Sequence, residues 1–497
     1  MTADKNNPDI SATHHITVEN EEDRSGKIVD LFRFLREEAI DTLTASLTRW
    51  NRDNPDRENQ LNYTQTIIGA SIIGIIGGLV ATIYYFVLEK LLHFVWHTGP
   101  DFLEPFFPSW LPSWNYVWIV TTIGGFLVGL SLYFLGLPGE MAAVIEKVHD
   151  PGSMDTRQTP GMIVTSLISI TAGGSAGPEA PLVQINGSLG SWLGSKLNLG
   201  LRSVRILTFC GMSAALGAFF GAPIGGALFA LEIPHRRGLE YYEAIVPAIV
   251  AGIFSFSVFR FGTGLDVGGI YRFDRFTTLP ALSWTNLLQG VILGLAGGVA
   301  ATLFVYIFRW TKAWIASIEH RHILLATLGG LSIGLIALLF PQTLFFSEEQ
   351  IGTVIEQGQA LGVTMLLGIA LAKMFAISFT LHGGFRGGFI FPLFFIGANL
   401  GLAISLAFPE FHPTIAMLCL MGAVNVAITK TPVSSTVILT VLSDTTILPI
   451  IAVASFSSFL LTSNISLLKT QRSRSFADVL EPSVGQENQI SETVLIQ

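Results

Sequence analysis

One carboxylate stands where charge is costly. Glu179 lies in Gly173-Gly174-Ser175-Ala176-Gly177-Pro178-Glu179-Ala180-Pro181, between the apolar runs Met162–Ala172 and Leu182–Leu193. A charged side chain at bilayer depth costs at least roughly 2.5–3.5 kcal/mol on insertion scales and usually marks function there. The flanking glycines and prolines break the helix and leave backbone N–H groups free to face an anion. Together they point to a gated anion pathway. The alternative is a first-turn glutamate that complements its own helix dipole at an aqueous interface.

Two other constellations could do chemistry. Glu89, His93 and His97 recur every four residues, which places three possible metal ligands on one helical face, as in a membrane metalloenzyme. No His-Glu-x-x-His pattern accompanies them. Ser169, Ser175 and Ser188 lie near the broken segments, but no histidine falls there to act as the base of a hydrolase.

The elements that must position Glu179 are membrane helices. Half of the residues are hydrophobic, only 13% are charged and the mean hydropathy is +0.56, which excludes a large soluble enzyme. Fifty glycines fit close helix packing and interrupted helices. The formal net charge of −8 says little about partners, because much of the acid precedes the first apolar segment. Cys210 and Cys419 fall in apolar stretches and form no disulfide framework. The first residues, about 25, are polar and acidic without an apolar centre, so the first membrane helix is expected to serve as the insertion signal.

Residues 1–62 read as a cytoplasmic segment, with 1–24 disordered and an amphipathic helix at about 27–50 lying on the membrane or against the bundle. Residues 63–470 form the transmembrane domain, and 471–497 a short cytoplasmic tail. Long spans are expected at Thr64–Leu92 and Tyr116–Leu135, then again at Ala244–Phe259, Leu287–Phe308, Leu324–Phe340 and Val363–Phe379. Two sets of short, interrupted segments stand apart. Met162–Ala172, Leu182–Leu193, Ile206–Phe220 and Ile224–Glu232 form one; Phe389–Leu406, Ile415–Ile428, Val433–Leu442 and Ile447–Leu461 form the other. Gly221-Ala222-Pro223-Ile224 opens a short helix in the first half, as Lys430-Thr431-Pro432-Val433 does in the second, each after a Gly-rich motif (Gly173–Pro181 and Gly383–Pro392). Paired interruptions in two halves are the signature of a repeat-built transporter with its site at the midplane. Lysines and arginines cluster in connections that can share one side, whereas the loops 93–115 and 341–362 carry acids but no Lys or Arg, so both termini are expected in the cytoplasm.

Gly177-Pro178-Glu179-Ala180-Pro181 resembles the Gly-x-Glu-Gly-Pro motif of the CLC chloride channel and transporter family, and Gly387-Gly388-Phe389-Ile390-Phe391-Pro392 is similar to its Gly-x-Phe-x-Pro segment. The stretch Ala218–Glu232 is similar to the pattern at that family's halfway helices. The resemblance covers about residues 65–468 and implies an all-α, polytopic fold of two inverted-topology repeats. It implies a homodimer in the cell membrane, each subunit with its own hourglass pathway for chloride and similar anions. Lipid surrounds such a protein; nucleic acid, a metal or a cofactor other than bound chloride is not expected. Glu179 becomes the gating glutamate, and Gly388, Phe389 and Ile390 would offer backbone N–H groups to the anion, unless those residues only pack a helix start.

The departures from the family pattern matter as much. Gly139, in Pro138-Gly139-Glu140-Met141-Ala142, stands in place of a serine that helps hold the central anion, and Leu468 in place of a tyrosine that closes the inner end. The central site would then rest on backbone amides alone and hold its anion loosely. Ile233 follows Glu232 where proton-coupled members carry a second glutamate, so the inner proton relay is missing. A passive, glutamate-gated chloride channel is the reading that follows. A chloride/proton antiporter with another proton path, for instance through Glu232, and a fluoride exporter remain open.

Overall fold

The computed structural model describes residues 45, 60–100, 116–139, 141–150, 152–264 and 282–473. The amphipathic helix expected at 27–50, most of the 1–62 segment and nearly all of the tail lie outside the described residues. Fifteen α-helices and short helical turns make up the ordered chain, with no strand among the described residues. The first repeat runs through α1 (Tyr63–His93), α2 (Tyr116–Leu135), α3 (Met141–His149), α4 (Thr159–Thr171), α5 (Glu179–Lys196), α6 (Leu201–Phe220), α7 (Pro223–Glu232) and α8 (Ile245–Thr263). The second contains α9 (Trp284–Ile315), α10 (His322–Leu339), α11 (Glu348–His382, broken at Gly362), α12 (Ile390–Ala407), α13 (Pro413–Thr429), α14 (Pro432–Leu442) and α15 (Leu448–Leu461).

Eight helices among the described residues are long and apolar enough to cross a membrane. The others are shorter or, like the 18-residue α5, too polar. The 10 residues of α7 reach only about 15 Å, half of a hydrocarbon core about 30 Å thick. Such a helix can end inside the membrane only where its unsatisfied termini meet protein partners. Both repeats solve this alike. α6 ends on Gly221 in the left-handed region, and Pro223 begins α7 two residues later. α13 ends on Lys430, also left-handed at φ 60°, and Pro432 begins α14. A side chain with a Cβ is unfavourable in that conformation. Lys430 is buried, and its Nζ donates to the carbonyls of Ala427 (2.6 Å) and Thr462 (2.6 Å), tying the end of α13 to the chain after α15.

The glycines place helices at backbone contact. α2 carries Gly125 and Gly129, and α10 carries Gly330 and Gly334, each a pair four residues apart. A side chain on Gly125 would meet the Ala326 carbonyl, on Gly129 the Ile323 backbone, on Gly330 the Thr121 carbonyl and on Gly334 the Trp118 backbone. Residue numbers rise on one helix as they fall on the other, so α2 and α10 pack antiparallel through small residues, the means by which helices associate without a hydrophobic drive. Inserting bulk here forces the backbones apart, at about 1–3 kcal/mol. Gly330→Leu is therefore expected to lower the melting midpoint of the purified protein in detergent. An unchanged midpoint would contradict this contact.

Candidate anion pathway

The centre of the molecule is a two-bond bridge between the repeats. The Gly177 N–H donates to the Gly388 carbonyl (2.7 Å), and the Gly388 N–H donates to the Gly177 carbonyl (2.6 Å). Each glycine stands two residues before its helix, α5 beginning at Glu179 and α12 at Ile390. The approach leaves no room for side chains: a Cβ on either glycine would strike the Glu179 carboxylate, and one on Gly388 would also lie 3.1 Å from the Ala180 amide nitrogen. These are positions where glycine is needed for proximity.

Glu179 is fully buried. Its Oε1 accepts the Phe391 N–H of α12 at 3.2 Å, and its own backbone amide is a second donor. Both donors are first-turn N–H groups, one from each repeat, and both helices present the positive ends of their dipoles. Oε2 has no hydrogen-bond partner among the described residues. The carboxylate is thus held on one oxygen only.

Cavities lie on both sides. One vestibule, about 500 Å³, is lined by Glu89, Lys90, His93, Trp96, His97 and Phe346. Its wall at Phe346 leads to an aromatic cluster in which Phe346, Phe219 and Phe391 approach one another at 5.6–6.4 Å between ring centroids. Phe391 is the residue whose N–H holds Glu179. Beside Ala180, the residue after Glu179, lies a chamber of about 100 Å³ bounded also by Gly139, Pro181, Arg386, Phe389 and Leu468. Ala142, Phe308, Leu381, Arg386 and Leu467 are common to this chamber and to a second vestibule of about 470 Å³. Among the described residues that vestibule carries Arg309, Lys312 and Lys469 against a single acid, Glu319. Glu179 itself lines none of the three; it adjoins the chamber through Ala180 and the aromatic cluster through Phe391, and the narrow stretch between them is the waist.

The residues singled out in the sequence fall as follows. Glu179 sits at the junction of the repeats, and Gly139, Phe389 and Leu468 share the chamber wall. Ile390 is the first residue of α12. The Gly388 N–H is engaged by Gly177, so it is not open to an anion in this conformation; the amide that reaches into the site is that of Phe391, one residue beyond the expected three. Ile233 is buried away from the chamber, its carbonyl accepting from Gln471 Nε2 at 2.8 Å. Glu232, also fully buried, caps α14: its carboxylate accepts the Val433 N–H (3.1 Å), the Ser434 N–H (2.8 Å) and the Ser434 hydroxyl (2.6 Å). Glu89, His93 and His97 do not assemble a metal site. Glu89 accepts the Tyr85 hydroxyl at 2.8 Å, and no group of three potential ligands occurs among the described residues.

The chamber also has a charged residue in its lining that the sequence reading did not single out, Arg386. The sequence signal was available: a lone arginine within the long apolar stretch from Leu366 to Leu406, inside the Gly383–Pro392 motif.

Interrupted helices of two repeats, meeting at a buried carboxylate between two vestibules, define an anion channel or transporter of the membrane. Residues 124–463 match the voltage gated chloride channel family, and the chain belongs to that family. It is 28% identical over 364 residues to a chloride/fluoride channel protein of Pseudomonas syringae pv. tomato, covering 72% of this chain and 78% of the relative. It is 26% identical over 414 residues to the putative ion-transport protein YfeO of Salmonella newport, covering 81% and 96%. Among solved structures, a CLC-type fluoride/proton antiporter superposes with a TM-score of 0.70 at 19% identity, over 83% of this chain and all of that one. A slow cyanobacterial Cl⁻/H⁺ antiporter gives 0.69 at 21% identity, over 80% and 94%.

The role of Glu232 as a helix cap makes a prediction. Glu232→Gln replaces one acceptor oxygen by an NH₂ that faces N–H donors, and leaving a buried donor unsatisfied costs about 1–3 kcal/mol. The variant should melt earlier than the wild type while its anion flux keeps the same pH profile. A shifted pH profile at unchanged melting would instead make Glu232 a proton carrier.

Proposed function

We propose that this protein is a passive chloride channel gated by Glu179, working as a homodimer in the cell membrane with one pathway per subunit and both termini in the cytoplasm. The observation that carries the reading is the pose of Glu179: a buried carboxylate held through one oxygen by the Phe391 N–H, next to the residue that lines the chamber. In that pose the carboxylate takes the position of an anion among helix N-termini. Protonation removes its charge, and an arriving anion competes for the same donors; either event frees the waist.

Uncoupled flow is supported by the inner side. Ile233 offers no proton site, and both Glu232 oxygens accept hydrogen bonds at the start of α14. Such a carboxylate is occupied in holding two helices together. A proton-coupled exchanger is the competing reading, and transport of fluoride is favoured by the name of the Pseudomonas relative.

Two measurements test this in liposomes. Chloride efflux through the wild type should rise as the pH falls, since protonation releases the gate, and Glu179→Gln should be fast and nearly independent of pH. Retention of the wild-type pH dependence by Glu179→Gln would remove the gating role. With a chloride gradient imposed, no uphill proton movement is expected; a fixed proton-to-chloride ratio would make the protein an antiporter. Parallel efflux recordings with chloride and fluoride electrodes separate the two anions.

A further inference from the structure

Among the charged groups of the described residues, Arg386 alone lines both the chamber beside Glu179 and the basic vestibule. We infer that its guanidinium is the side-chain ligand for a permeating small monovalent anion, and that it replaces the hydroxyls absent at Gly139 and Leu468. The inference rests on the anion pathway proposed above and assigns one more residue to it.

Three observations carry it. First, position: Gly139, Leu468 and Arg386 bound the same chamber of about 100 Å³, a volume suited to one partly dehydrated anion rather than to a drug-sized ligand. Second, fixation: Arg386 is buried, and its backbone N–H donates to Ser169 Oγ at 2.9 Å, while that hydroxyl donates to the Thr165 carbonyl of α4 at 2.7 Å. The turn before it is set by Gly384 at φ 86°, with the Phe385 N–H donating to the Thr380 carbonyl at 3.2 Å. The arginine therefore projects from a rigid loop between α11 and α12. Third, the field: Arg309, Lys312 and Lys469 gather anions at the wide mouth, and Arg386 marks where it narrows into the chamber.

The planar N–H fork of a guanidinium is weakly hydrated and bonds anions without being deprotonated. The consequence reverses the loose binding expected from the two lost hydroxyls. The chamber should load at low anion concentration, and departure past Arg386 should limit throughput.

The test compares wild type, Arg386→Gln and Arg386→Lys, each purified and reconstituted, by the dependence of initial efflux rate on internal chloride concentration. Arg386→Gln should raise the half-saturating chloride concentration by about tenfold or more, and Arg386→Lys should recover part of it, because a full charge outbids a neutral amide for the ion. Equal half-saturation in wild type and Arg386→Gln would overturn the inference while leaving the gate at Glu179 intact. Should the variants fail to fold, crystals of the wild type grown in bromide decide it: an anomalous peak in contact with the guanidinium supports the assignment, and a chamber without one refutes it. Absence of efflux from wild-type liposomes would count against the channel itself, and the bromide map would still decide the ligand.

Discussion

A negative charge buried between two helix starts is the constraint on which the rest of this structure depends. Glu179 belongs to the first repeat, and the N–H that holds it belongs to Phe391 of the second. The two strands of chain that bring them together touch through one pair of glycines, bonded amide to carbonyl in both directions. A helix start leaves up to four N–H groups without an intrahelical partner, and a buried one needs acceptors from elsewhere in the protein. Each repeat supplies what the other lacks. The same device recurs at Glu232, a first-repeat carboxylate seated on the N-terminus of α14 in the second repeat. The two carboxylates differ in satisfaction. Both oxygens of Glu232 are bonded, whereas Glu179 leaves Oε2 without a partner. A fully bonded carboxylate is a fastener; a half-bonded one can be displaced.

Packing around this centre serves to keep it narrow. Glycine faces on α2 and α10 bring backbones together on one flank, and the rings of Phe219, Phe346 and Phe391 close the other. Close-packed walls of this kind resist continuous deformation, so opening is best served by motion of one side chain. The vestibule that Arg386 shares carries Arg309, Lys312 and Lys469, and such a cluster of positive charge attracts anions.

Much of this was legible in the chain. The boundaries of the short helices followed from glycine and proline, because those residues act on the backbone locally: Pro223 and Pro432 begin α7 and α14 as expected, and Gly221 ends α6. Glu179 was legible because an acid among apolar residues is an energetic anomaly in any fold. Arg386 was an equal anomaly, but it lay inside a glycine motif whose glycines drew the attention, and the chamber it lines is built from segments more than three hundred residues apart. The partner of the Gly388 N–H was hidden for a related reason: in this conformation it bonds Gly177, which no local rule supplies.

The sequence by itself determined the membrane class, the two-fold recurrence of broken helices and the residue that carries the charge. These depend on hydropathy, on backbone torsion and on the cost of a lone carboxylate, all properties of short stretches. Only the tertiary structure decided which amide receives Glu179, that Glu232 is spent on a helix start, and that an arginine borders the chamber. Hydrogen-bond pairing and cavity lining are relations between distant segments, and they exist only once the two repeats are folded against each other.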